Sequence, residues 1–334
     1  MNKNSRSMLF TSLSIGLFIA LVSTNISAQN KVVVNDSQSQ TINGATDRIL
    51  QTYTDISSLP MEKRQAIFSD LSAEDKASLF KLHLALQFVK RPNLTKEQKD
   101  LILDSISTIK SESYDSKNLY AGNKAQEQAS VVETKARKLF PMKEVFEIFA
   151  QLGGNAEDGG KLKKYQLLTA SPFFTDRKTI FGGFSPEEKS TLIKIHLAYQ
   201  LAARSLLKEQ NDFIVNTLNL VNPDFYKFED GTPERNKVDE VLRQISNNIL
   251  NHFQKKEAFE IFVAFGARSD SPRPIRGKNP TTENQGYVCS CSSNSDYCSW
   301  WHSNTYCEGS YSCTQRRECG TLGGYLCNGF CWAE

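Results

Sequence analysis

All eight cysteines of this 334-residue chain fall at or after position 289: Cys289, Cys291, Cys298, Cys307, Cys313, Cys319, Cys327 and Cys331. Cysteines gathered like this either ligate a metal as thiolates or crosslink the chain as disulfides. Zinc favours paired C-x-x-C ligands, whereas the gaps here are 1, 6, 8, 5, 5, 7 and 3 residues. The even count predicts four disulfides. Cys289 and Cys291 are too close to bond each other easily and are expected to take different partners; the rest of the pairing is open. The segment needs crosslinks, because from Val288 onward its only aliphatic residues besides alanine are Val288, Leu322 and Leu326. So little apolar surface cannot build a core, and each disulfide contributes about 2–4 kcal/mol by restricting the unfolded chain.

Aromatic rings are the second chemical resource of this segment. It holds all three tryptophans of the chain, Trp300, Trp301 and Trp332, with Tyr287, Tyr297, Tyr306, Tyr311, Tyr325 and Phe330. A small cystine-centred module has little interior, so some rings are expected to cover disulfides and others to face a partner. Trp300, Trp301, Tyr306, Tyr311 and Trp332 are the candidates for partner contact. Charges are few, Arg316 and Arg317 against Asp296, Glu308, Glu318 and Glu334, which argues against a cationic amphipathic lytic peptide.

The elements that carry this segment are of another kind. Lys3 and Arg6, then the apolar run Met8–Val22, then a small-residue stretch ending at Ala28, read as a signal peptide for residues 1–28. The run of 15 residues is short for a bilayer, so no permanent transmembrane span is expected. Export would place the chain where disulfides persist, and the expected location is extracellular. Residues 29–46 read as a polar lead-in.

Two copies of one helical unit follow, 47–154 and 162–267, joined by a hinge at 155–161. Arg64–Arg91 aligns with Arg177–Arg204, Thr95–Asp100 with Leu207–Asp212, and Phe140–Gly154 with Phe253–Ala267. Capping boxes are predicted at Ser72/Asp75, Thr95/Gln98 and Ser185/Glu188, with Pro186 at a first helical position. Leu79, Leu82, Leu86 and Val89 form one helical stripe, and Val145, Ile148, Phe149 and Leu152 another that should end at Gly153. The predicted class is therefore an all-α tandem repeat, about four antiparallel helices per copy, followed by a small disulfide-rich module at 288–334. Between them 268–287 is a Pro/Arg-rich linker with Arg273, Arg276 and Lys278 as processing sites.

The helical copies offer little chemistry. His83 and His196 recur with Gln87 and Gln200 and read as boundary histidines with a local partner. Glu144/Glu147 and Glu257/Glu260 read as a solvated face. No H-E-x-x-H, G-x-S-x-G or phosphate-cradling loop is present, so no enzyme, metal or cofactor is expected. With 40 basic and 37 acidic residues, net +3, nucleic acid is not an expected partner.

The segment "CSCSSNSDYC" (Cys289–Cys298), the Cys307–Cys313 step, and "CGT" (Cys319–Thr321) leading to "CNG" (Cys327–Gly329) resemble the fulvocin C-related bacteriocins. The likeness covers 288–334 only. It implies an exported antibacterial peptide whose active form begins just upstream of the first cysteine. The expectation is a secreted bacteriocin precursor. A processing protease cuts the linker, and aromatic contacts dock the module on a target bacterial cell envelope. The helical copies are a pro-region or a domain that holds the module inactive. The alternative is a non-toxic extracellular binding or structural protein that stays uncut, with the helices as the functional part and the cysteine-rich tail as a recognition or anchoring module.

Overall fold

The structure, a computed structural model, describes residues 42–57, 59–114, 119–149, 151–153, 156–171, 174–265, 291–301, 304–309 and 317–333. The expected signal peptide, Ala28 and the linker with Arg273, Arg276 and Lys278 lie outside them. The protein is mostly helical, with a small disulfide-rich region of short strands at its end. The described residues fall into two compact units. One runs to Gly160 and takes in Ala202–Ser205; the other holds Lys161–Leu201 and everything from Leu206 on.

The first unit contains α1 (Ile42–Ser57), α2 (Met61–Asp70), α3 (Ala73–Lys90), α4 (Lys96–Thr108), a 3-10 turn (Ser111–Tyr114), α5 (Leu119–Leu139) and α6 (Met142–Phe149). The predicted caps are in place. Asp75 N–H donates to Ser72 Oγ at 3.1 Å, and Thr95 with Gln98 forms a reciprocal capping box. α3 is central, packing on α1, α4 and α6. Accordingly its Leu79, Leu82, Leu84, Ala85, Leu86 and Phe88 are all buried, more than the single stripe expected.

His83 on α3 is fully buried rather than at a boundary. Its Nε2 lies 3.1 Å from the Ile148 carbonyl, which can only accept, so Nε2 carries the proton. Nδ1 then accepts from the Tyr53 hydroxyl at 2.9 Å. This neutral ring ties α1, α3 and α6 together. Burial, with the Lys90 and Arg91 charges adding to it, pushes its pKa down to about 3. Glu144 and Glu147 are not a free solvated face, for Arg91 pairs with Glu147 at 2.8 Å and approaches Glu144 at 3.7 Å.

Other boundaries also differ from the sequence reading. α1 begins at Ile42, inside the expected lead-in. α6 ends at Phe149, before Gly153, whose φ of +103° serves a close approach in which an added Cβ would meet Arg64 Nη1 at 2.9 Å. The expected hinge is largely helix, because α7 (Ala156–Ala170) starts within it. Glu157 and Asp158 favour that helix start, and Leu162, Tyr165 and Leu168 bury its apolar side; Gly159 and Gly160 do not outweigh this. The segments 47–154 and 162–267 also hold more than the four helices expected of each, since short helices such as α2 and α6 form wherever one apolar turn can pack.

The second unit continues α7 with α8 (Phe174–Gly182), α9 (Pro186–Ala203), α10 (Lys208–Leu220), α11 (Asp224–Lys227), α12 (Pro233–His252) and α13 (Lys255–Phe262). Ser185 and Glu188 make the box that starts α9, with Glu188 N–H on Ser185 Oγ at 3.3 Å. Matched positions make matched bonds. Tyr165 OH meets His196 Nδ1 at 2.8 Å, and His196 Nε2 meets the Ile261 carbonyl at 3.1 Å. Gln210 donates to the His252 carbonyl as Gln98 does to that of Leu139.

The module adds α14 (Cys298–Trp301), β1 (Thr305–Gly309), β2 (Arg317–Cys319), a 3-10 turn (Thr321–Gly323), β3 (Tyr325–Leu326) and β4 (Gly329–Ala333). β1 pairs antiparallel with β4, setting Cys307 opposite Cys331, and β2 pairs with β3. No described helix is long and apolar enough to cross a membrane.

The depressed His83 pKa predicts acid sensitivity. The unfolded ring protonates near its ordinary 6.5 and the folded ring only near 3, so stability is intact above pH 6.5 and is lost as pH falls. Urea unfolding of wild type minus that of His83→Gln should show a loss of about 3 kcal/mol between pH 6.5 and 4. Parallel pH profiles for the two proteins would contradict it.

Candidate functional site

Three disulfides join the described cysteines: Cys291–Cys307, Cys298–Cys331 and Cys319–Cys327. Cys289 and Cys313 lie outside the described residues. The sulfurs of Cys291, Cys298 and Cys331 approach within 4.8 Å of one another because two bridges leave from one rung of the β1–β4 ladder. Each is in an S–S bond and carries no thiolate charge, the form in which cysteine ligates zinc.

The module does not stand apart from the helices. Phe259 of α13, with Val263 and Ala264 just beyond it, forms one buried cluster with Cys291, Tyr297, Cys298 and Cys331. The Phe259 and Tyr297 rings are 5.5 Å apart. The module thus borrows the interior that its own composition lacks.

The loop closed by Cys319–Cys327 goes deepest. Thr321 is 0% and Leu322 1% exposed. Gly323, at φ +62°, passes so close to the stacked rings of Phe181 and Phe265 that an added Cβ would meet them at 3.0 and 2.9 Å. At Gly324 a Cβ would meet Leu242 of α12 at 2.8 Å. Only backbone without side chains fits between these helices, and "LGG" supplies it.

Buried backbone needs donors. Tyr226 of α11 donates its hydroxyl to the Leu322 carbonyl at 3.0 Å. Arg235, buried on α12, gives Nη2 to the Gly324 carbonyl at 2.6 Å and Nη1 to the Phe225 carbonyl at 3.0 Å, while Asp239 balances its charge at 2.7 Å. The Ser246 and Thr321 hydroxyls lie 2.8 Å apart. Lys178 of α8 donates to the Tyr297 hydroxyl at 3.0 Å and contacts Cys319 Sγ at 2.9 Å. Burial raises the pKa of the Tyr226 and Tyr297 phenols well above their ordinary value, so both keep their protons.

This geometry reassigns the aromatic candidates. Trp300 is half-buried against the Phe259 cluster, and Trp332 against Cys319, Cys327 and Phe330. Both pack against disulfide cysteines and are also partly exposed. Tyr306 is 42% exposed. The Trp301 side chain and Tyr311 lie outside the described residues.

Lys178, Tyr226, Arg235, Leu242 and Ser246 went unnoticed in the sequence. For all but Tyr226 the signal lay in differences between the aligned segments. Lys178, Arg235, Leu242 and Ser246 align with Gln65, Gly122, Ala129 and Glu133. Shared positions serve the helices: Phe181–Tyr226 and Phe68–Tyr114 are the same edge-on ring pair, at 5.8 and 6.2 Å. Tyr226 is such a shared position, whereas Lys178, Arg235, Leu242 and Ser246 have no like residue in the first segment.

Comparison with protein-family models, with curated proteins and with solved structures finds no match to this chain. None of these comparisons links the chain to the fulvocin C-related bacteriocins.

Two outcomes test the site. Peptide mapping of the oxidised protein should recover the three assigned pairs, and a crossed pair among those six cysteines would refute it. Gly323→Ala should lower stability by about 1–2 kcal/mol from its positive φ alone, more if the Phe rings cannot shift, read as a lower urea midpoint. An unchanged midpoint would mean the loop is not held as described.

Proposed function

We propose that the protein is a secreted antibacterial precursor in which the second helical unit holds the cysteine-rich module inactive until it is released. The observation that carries the holding is the burial of the 319–327 loop between α8, α11 and α12. The antibacterial part is supported by the likeness of the cysteine segment, and export by the N-terminal segment and by disulfides that suit an oxidising compartment. The surface expected to meet a target envelope is partly occupied by the protein's own helices. Cutting the linker at Arg273, Arg276 or Lys278 would leave the module non-covalently bound, and separation would be the activating step.

One observation favours the uncut alternative. Phe259, Val263, Ala264 and Phe265 take part of their cover from the module, so releasing it strips a core face of the second unit. In that reading the module is a permanent clasp and the exposed helical surfaces do the work.

Limited proteolysis within 268–287 separates the two. The nicked protein should run as one species on native gel filtration and leave growth of test bacteria unchanged. The module, parted from it in denaturant and reoxidised, should inhibit growth. An inactive separated module would end the antibacterial reading; a nicked complex as active as the separated module would end the holding.

A further inference from the structure

The bond that closes the buried loop has different surroundings from the other two. Cys319 Sγ sits 2.9 Å from Lys178 Nζ, which also reaches Tyr297 OH at 3.0 Å. Cys291, Cys298 and Cys331 lie among Phe259, Val263, Ala264 and the Tyr297 ring, and Cys319 and Cys327 lie against Phe330 and Trp332, so the lysine contact at Cys319 is what sets the 319–327 bond apart. Opening a disulfide by exchange leaves one sulfur as a thiolate. An ammonium in contact stabilises that thiolate, and an apolar surround disfavours it. The first helical copy has Gln65 where Lys178 stands, so this lysine belongs to the contact with the module.

We propose that Cys319–Cys327 is a redox modification site, which a dithiol reductant opens ahead of Cys291–Cys307 and Cys298–Cys331, and that its opening loosens the second unit's hold on the module. One thiolate of the dithiol attacks Cys327 Sγ, and the S–S electron pair leaves on Cys319, beside Lys178. The second thiol of the reductant then attacks the mixed disulfide, freeing Cys327 and leaving the reductant as a disulfide. Two electrons and two protons pass from the dithiol to the pair. Cys319 is the better leaving group of the two, since a leaving thiol of lower pKa departs faster.

The consequence for docking rests on the holding reading above. The bond closes a short loop that keeps Leu322 at φ 57° and Gly323 at φ +62°, the shape that fits between Phe181, Phe265 and Leu242. Without closure the loop regains conformational freedom and that shape is no longer enforced.

The intact oxidised protein is titrated with dithiothreitol under native conditions, and emerging thiols are alkylated and located by mass spectrometry. Cys319 and Cys327 should be labelled at about tenfold less reductant than Cys291, Cys298, Cys307 and Cys331. Labelling of those four first, or all six in step, overturns the proposal, and this order needs no variant. Lys178→Met should erase the lead and Lys178→Arg keep it; a folded Lys178→Met protein with the lead intact overturns the lysine's role. In linker-cut samples the module should separate from the second unit in proportion to Cys319–Cys327 opening. If the pair opens first and the module stays bound, the redox site survives and its coupling to release falls.

Discussion

Burying backbone deprives its carbonyls of water, and each then needs a donor supplied by the protein. The cysteine-rich module meets this constraint with side chains from outside itself. Tyr226 and Arg235 answer the Leu322 and Gly324 carbonyls, and Arg235 also holds the carbonyl of Phe225 on α11. Removing one donor would leave a buried acceptor unmet, at a cost of about 1–3 kcal/mol. The apolar contacts follow from the same arrangement, because a loop gripped by its carbonyls brings Leu322, Gly323 and Gly324 against Phe181, Phe265 and Leu242.

This dependence gives the two helical copies different roles. Both keep a buried tyrosine–histidine pair whose second nitrogen meets a helix-end carbonyl, so those histidines pin helices and have no nitrogen left for other work. The second copy adds Lys178, Arg235, Leu242 and Ser246, all of which contact the module. Those four differences fall where the helices of the second segment meet the module.

Much of this was legible in the residues. The helical class, the caps at Ser72, Thr95 and Ser185, and the disulfide chemistry follow from local rules, because capping and crosslinking depend on near neighbours and residue type. The docking was not legible. A composition poor in aliphatics reads as a free-standing cystine-centred module, yet it is equally what a segment needs when it completes a core shared with helices. Trp300 and Trp332 illustrate the point: both pack against disulfide cysteines while keeping part of their surface exposed. The glycines of "LGG" carried a hint, since adjacent glycines before a crosslink suit close backbone approach, but nothing local says to what.

The central claim is that the 319–327 loop is part of the second unit's cooperative structure. Native-state hydrogen exchange tests it most directly through the Gly323 and Gly324 amides, which donate to the Gly320 and Thr321 carbonyls. If the loop is held as described, these amides exchange with the same opening free energy as the core amides of α12 and α13. Exchange faster by orders of magnitude, with α12 and α13 still protected, would show a module that detaches on its own and would contradict the account.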